Sequence, residues 1–369
     1  FRSSDLRDPL RLSASNLIEV SSDALTLFAV RLEFRRIVIQ RKRPFRISRG
    51  LSTETENLFV IVEHEGLSGL GEMAPVGYGE PQTAETAQRD LTSAIPGIDS
   101  LEPSRLSRIE QVLMEHRVQP AARAAVNIAC WDWLGKRVGL PLHRLLGLER
   151  QTAATSLTIG ICSPDEAREQ AKEIFMDHPE CAIKIKMEDQ DGHEADQLRF
   201  MAIQEAAPNS KLRIDANGGW SSKVAIEMMR WLLHRGCEYV EQPVHHEDIP
   251  GIRDAARHRC LPIFLDENIH TAADVPVWAD FCDGVNLKLM KTGGISEALR
   301  LVHTARALGK KVMIGCMSES SVGIGAGAHI ASLFDYVDLD SQFNMNPDPA
   351  IGLLFDAGQV LPNSDPGLG

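Results

Sequence analysis

The chain has 369 residues, 43% of them hydrophobic and 24% charged, the make-up of a globular protein with room for one large or two ordinary domains. A net charge of −12 disfavours nucleic acid and anionic membrane as partners, and no apolar run approaches the roughly 20 residues of a membrane helix. The seven cysteines (Cys130, Cys162, Cys181, Cys237, Cys260, Cys282, Cys316) form no CxxC pair and read as reduced thiols of a cytoplasmic protein.

Residues 1–24, opening FRSSDLRDPL, lack the apolar core of a secretory signal and are expected to be loosely ordered. Residues 25–120 read as an α+β unit. ALTLFAVRLEFRRIVIQ suggests a strand, RKRPFRISRGLSTETE (41–56) a polar loop, and NLFVIVEHEG and GLGEMAP two further strands of a meander. ETAQRDLTSAI and RLSRIEQVLMEH carry helical periodicity. The Ala-rich PAARAAVNIACWDWLGKRVG predicts a helix stopped by glycine, and it opens a second domain over 121–350.

From about Thr152 the rhythm changes, and short apolar strands alternate with helical patterns. The strands are TSLTIGI, CAIKIKM, KLRIDA, EYVEQP, PIFLDE, GVNLKLM, KVMIGCM and YVDLD. Eight such units predict a closed parallel (β/α)8 barrel carrying an α+β capping domain, with residues 351–369 returning to the cap.

Chemistry in such barrels sits at the C-terminal strand ends. The third, fourth and fifth strands end in Asp215, Glu241 and Asp266. Singly, each acid could be a helix N-cap. Three at matching ends would repel one another without a counter-ion, and hard oxygen donors on separate strands suit Mg²⁺. The second strand ends in Lys184 and Lys186, which share a face because they are two apart. Either this is a solvated strand end, or the neighbouring charge lowers the pKa of a base. Lys288 ends the sixth strand, nearly opposite Lys186 across the barrel, so the two lysines would flank one substrate carbon.

Together GLGEMAP, the KxK pair, DANGGW, VEQP, LDE, NLKLMKTGG and the closing PGLG resemble the enolase superfamily, in its muconate-lactonising subgroup, from about residue 25 onward. The resemblance implies a capped modified barrel, Mg²⁺ on Asp215, Glu241 and Asp266, and Lys186 and Lys288 as paired acid and base. Asp338 and Asp340 on the eighth strand look like the mark of dipeptide epimerases, where two carboxylates hold the substrate's ammonium group. The implied reaction is a 1,1-proton transfer at the α-carbon of the dipeptide's C-terminal residue, through an enediolate.

Lys184, Ser318, Glu319 and Arg49 are further candidate substrate contacts. Arg41, Arg43 and Arg46 in the basic loop, and Tyr78 beyond it, bear on side-chain preference. An acidic side chain would suit that loop. However, Gly50 stands where the Ala-Glu epimerases of this family carry their side-chain-binding arginine, with Arg49 one position early. Other reactions of the same scaffold, such as o-succinylbenzoate synthesis, N-succinylamino-acid racemisation and cycloisomerisation, leave Asp338 and Asp340 without a role. A small-molecule substrate is expected, and assembly into a homo-oligomer is compatible with the sequence.

Overall fold

The computed structural model of the chain describes residues 30–47, 50–188 and 191–369; the first 24 residues and Arg49 lie outside them. An antiparallel sheet comes first, with β1 (Arg31–Ile47), β2 (Gly50–His64) and β3 (Leu67–Met73). The pairing of β1 with β2 runs from Arg31↔Glu63 to Gln40↔Glu54, shifts register, and resumes from Phe45↔Ser52 to Ile47↔Gly50. Residues 41–56, expected as a polar loop, are therefore largely paired strand. Almost none of the side chains at this tip is buried. With no core face there is no apolar alternation to read, although the backbone ladder still closes.

Four helices follow: α1 (Ala84–Ile98), α2 (Leu106–Glu115), α3 (Pro120–Val138) and α4 (Leu142–Leu145). Pro120 starts α3, and Gly139 ends it in the left-handed conformation, with φ of 72°. The alanines of α3 let β3 approach closely. A Cβ on Gly69 would stand 2.0 Å from the Ala129 carbonyl oxygen, and one on Gly71 would stand 1.9 Å from that of Ala125.

The barrel then alternates β4 (Ser156–Ile159), α5 (Pro164–Asp177), β5 (Ala182–Lys186), α6 (His193–Ala206), β6 (Leu212–Asp215) and α7 (Ser222–Leu233). It continues with β7 (Cys237–Glu241), α8 (Ile249–Arg257), β8 (Ile263–Leu265), α9 (Asp274–Trp278) and β9 (Gly284–Lys288). After the single turn α10 (Leu289–Thr292) come α11 (Ile295–Ala307), β10 (Lys311–Gly315), α12 (Ser321–Ala328) and β11 (Tyr336–Asp338). The eight strands β4 to β11 pair in chain order, and a parallel bridge from Thr155 to Val337 joins the first to the last. This is the capped (β/α)8 architecture expected.

In β5, Ile183 and Ile185 join the apolar core while Lys184 and Lys186 reach the barrel interior, so the period-2 pleat delivers both amines to one place. The C-terminal segment includes β12 (Met345–Asn346), paired with β1, and the small ribbon β13 (Leu354–Asp356) and β14 (Gln359–Leu361). Its last residues lie on α3. Leu142 N–H donates to the Gly367 carbonyl at 2.9 Å, and Leu368 N–H donates to Asp132 Oδ1 at 2.8 Å. The other oxygen of Asp132 accepts from Leu70 N–H and from Lys136 Nζ, each at 2.7 Å, so one buried carboxylate ties tail, helix and cap sheet together. Among the described residues no helix is long and apolar enough to cross a membrane.

Candidate active site

Strand register lays the charged residues in a row. Lys186 pairs with Asp215 across β5 and β6, and Asp215 pairs with Glu241 across β6 and β7. Asp266 follows β8 directly. All three carboxylates are fully buried. Lys184, 2% exposed, places Nζ 2.7 Å from Asp338, 2.8 Å from Glu241 and 3.1 Å from Asp215. Lys186 Nζ stands 2.6 Å from Asp215 on one side of the cluster, and Lys288 Nζ stands 2.8 Å from Asp266 on the other.

The KxK pair is thus neither solvated nor a lysine pressed by a bare neighbouring charge. Burial works against the Lys184 charge, but Asp215, Asp338 and Glu241 outweigh it and hold the amine protonated, well above its ordinary pKa. The repulsion expected between Lys184 and Lys186 is relieved by Asp215 Oδ2, which both approach. Burial likewise opposes charge on Lys288, and Asp266 and Glu241 reverse the effect and raise its pKa. Asp266 is driven well below the carboxylate range, because Lys288 and Lys291 overcome its burial.

The donor set fits a hard divalent cation. Glu241 Oε2 and Asp266 Oδ2 are buried without a hydrogen bond and face only lysine charges. Burial and the adjoining Asp215 push Glu241 above its usual pKa, the sign of more carboxylate than the interior tolerates. Among the described residues the acids do not close on one point as a ready ligand shell, since their oxygens are turned onto lysines. Three oxygen acids on adjacent rigid strands nevertheless match the preferences of Mg²⁺.

Several supports were not singled out from the sequence. Asn286 Nδ2 holds Glu241 Oε1 at 2.7 Å. It lies two before Lys288 on the same strand face, a spacing that could have disclosed it. Lys291 is buried against the Asp266 carboxylate and carbonyl. Gln242 Oε1 accepts the backbone N–H groups of Asp266 and Glu267 at 2.9 and 3.1 Å. Gly315 pairs with Lys288 across the sheet, and a Cβ there would stand 3.1 Å from Lys288 Cε.

A cavity of about 370 Å³ lies between this cluster and the β1–β2 hairpin. Lys184, Lys186, Lys288, Asp338, Asp340 and Ser318 all line it. Asp338 Oδ1 is buried without a hydrogen bond. Asp340 Oδ2 accepts Thr158 N–H at 2.7 Å, and burial together with the neighbouring Asp338 pushes its pKa up to about 6. Ser318 Oγ accepts from Arg41 at 2.6 Å. Glu319 sits behind this wall, 1% exposed, with Oε1 on Met317 N–H at 2.9 Å; burial and then the Glu72 charge raise its pKa to about 8. Arg43 is drawn off to Glu173 at 2.8 Å, and Arg46 is exposed. Tyr78 packs near His246 and His270, with ring centroids 6.5 and 6.3 Å away.

Residues 31–147 match the mandelate racemase / muconate lactonizing enzyme N-terminal domain, and residues 166–369 match the enolase C-terminal domain-like model. The chain belongs to this family of the enolase superfamily. A hydrophobic dipeptide epimerase of Roseobacter litoralis is 43% identical, over 92% of this chain and 98% of the relative. A dipeptide epimerase of Enterococcus faecalis, solved with Mg and L-Leu-L-Tyr, superposes with a TM-score of 0.87 at 33% identity, covering 92% of this chain and 99% of that one. The substrate-liganded L-Ala-D/L-Glu epimerase from Bacillus subtilis gives a TM-score of 0.85 at 28% identity, covering 92% and 98%.

Proposed function

We propose that this chain is a dipeptide epimerase that inverts the α-carbon of the C-terminal residue and favours apolar side chains. The observation that carries the reading is the placement of Lys186 and Lys288 on opposite sides of one buried carboxylate cluster. A carbon seated between them faces a lysine on each side. One amine takes the α-proton, and the other, as an ammonium, returns a proton to the opposite face; the reverse reaction exchanges the roles.

Asp215, Glu241 and Asp266 would hold Mg²⁺, which supplies fixed positive charge against the substrate carboxylate as negative charge develops there. Lys184 keeps Asp215 and Glu241 oriented, and ties them to Asp338, through its three contacts. Asp338 and Asp340 supply the opposite pole. The free Oδ1 of Asp338 and the raised pKa of Asp340 describe a carboxylate pair that gains from a cation, as the N-terminal ammonium group of a dipeptide would be. Succinylated substrates carry no such group.

Apolar preference is supported by the side walls. Leu157, Ile161, Ile174, Met317 and Phe343 line the cavity, and two of the three hairpin arginines beside it are engaged, Arg41 by Ser318 and Arg43 by Glu173. The test is solvent deuterium incorporation. Pools of L,L-dipeptides are incubated with protein and Mg²⁺ in D₂O and read by mass spectrometry. The expected result is a one-deuteron gain in dipeptides with apolar residues, lost on chelation. Exchange confined to succinylated amino acids would overturn the reading.

A further inference from the structure

Three strands of the cap grip one short piece of the barrel. From β1, Arg41 donates to Ser318 Oγ at 2.6 Å. From β2, Asn57 Nδ2 donates to the Ser318 carbonyl at 2.8 Å. From β3, Glu72 receives the start of α12: Ser320 N–H at 2.9 Å, Ser320 Oγ at 2.7 Å and Gly323 N–H at 2.8 Å. Asn57 Nδ2 also donates to Glu72 at 2.6 Å, so a single amide joins the two grips. Both Asn57 and Glu72 are fully buried.

The gripped segment, Met317 to Ser320, forms part of the reaction site. Met317 and Ser318 line the cavity, and Glu319 lies immediately behind them. A buried carboxylate that accepts from four donors is costly to desolvate and is fixed in direction by them. An ordinary apolar contact would seal cap to barrel at less cost, but it would not set the position of a loop along the seam.

We infer that Glu72 is a positioning residue that places the cavity wall after β10 relative to the cap hairpin, so that side-chain fit depends on a residue that touches no substrate. The inference rests on the epimerase reading only for its kinetic assay. Glu72→Gln preserves shape but turns an amide nitrogen, itself a donor, toward donors that need an acceptor. A wall displaced by a fraction of an ångström lowers kcat/KM on the order of 10-fold to 100-fold, and the loss is expected on KM because Met317 and Ser318 line the cavity without supplying the proton-transfer amines.

The experiment has two arms. Hydrogen exchange followed by mass spectrometry compares Glu72→Gln with the wild type, and faster exchange is expected at residues 317–324 with α3 unchanged. Kinetics then compare the same variant in the wild-type and Ser318→Ala backgrounds, and the KM effect is expected to vanish in the second. Glu72→Asp, which keeps the charge but falls short by a methylene, serves if the amide variant does not fold. Unchanged exchange at 317–324, or an equal rise in α3, overturns the inference, as does a loss carried by kcat alone or one that persists without Ser318. If no dipeptide is epimerised by the wild type, the epimerase reading fails and the exchange arm alone judges Glu72.

Discussion

Replacing Lys184 by methionine separates the structural from the chemical work of the KxK pair. The side chain keeps nearly its volume and loses its charge. At an effective dielectric of about 20, Coulomb attraction over the three contacts of 2.7, 2.8 and 3.1 Å comes to about 17 kcal/mol before desolvation. Desolvation of the amine and the acids cancels most of that. What is lost is the compensation of buried carboxylates, a class of change that costs about 3–5 kcal/mol. Denaturant unfolding in EDTA should therefore show Lys184→Met less stable than the wild type by that amount.

Mg²⁺ decides whether the acids are metal ligands. A cation on Asp215 and Glu241 replaces the charge that the methionine removed, so saturating Mg²⁺ should stabilise the variant more than the wild type and close at least half of the gap. A loss below about 1 kcal/mol in EDTA would show that the lysine contributes little net charge compensation. An identical Mg²⁺ response in both proteins would refute the idea that Lys184 and the cation compensate the same carboxylates.

Lys186→Ala and Lys288→Ala should each lower epimerisation kcat by about 10³-fold or more while keeping the Mg²⁺-dependent rise in stability; full epimerisation by either would end the two-lysine mechanism. Gly71→Ala would drive its methyl into the Ala125 carbonyl, 1.9 Å away, and should cost about 3 kcal/mol in urea unfolding, whereas a neutral result would mean that α3 can lift from the sheet. His329 is fully buried against His143, and burial lowers its pKa to about 4. The unfolded chain therefore binds the extra proton first, and stability should fall by about 3 kcal/mol as pH drops from 6.5 to 4. His329→Gln should flatten that window in denaturant titrations, and an unaltered slope would locate the acid sensitivity elsewhere.

The barrel and the acids at its strand ends are legible because their signals are local. An apolar run followed by a helical pattern marks each strand end, and the acids stand at those ends, so Asp215, Glu241 and Asp266 are found without knowing the packing. The hairpin tip is illegible for the opposite reason. With both faces polar, Arg41 to Ile47 look like a loop although Phe45 to Ile47 form a ladder with Gly50 to Ser52. Glu72 is hidden by distance. Its partners Ser320 and Gly323 lie 248 and 251 residues away, and no periodicity within GLGEMAP announces them. Its small neighbours Gly69 and Gly71 are explained only by the backbone of α3.

The spacing of Lys184 and Lys186 shows how one pattern carries two tasks. Both amines project from one face of β5, but they differ by one pleat in depth. The deeper lysine meets carboxylates from β6, β7 and β11 and is locked as a cation. The outer one meets Asp215 and the cavity. A buried ion cluster is a poor source of stability, because desolvation consumes most of what the charges return. Lys184 is thus best explained as the counter-charge that lets a buried carboxylate cluster remain folded. On that account Lys184→Met injures the fold first and Lys186→Ala injures the chemistry first. Measuring stability and rate on both variants distinguishes the two roles, which two identical side chains on one strand face cannot reveal from spacing alone.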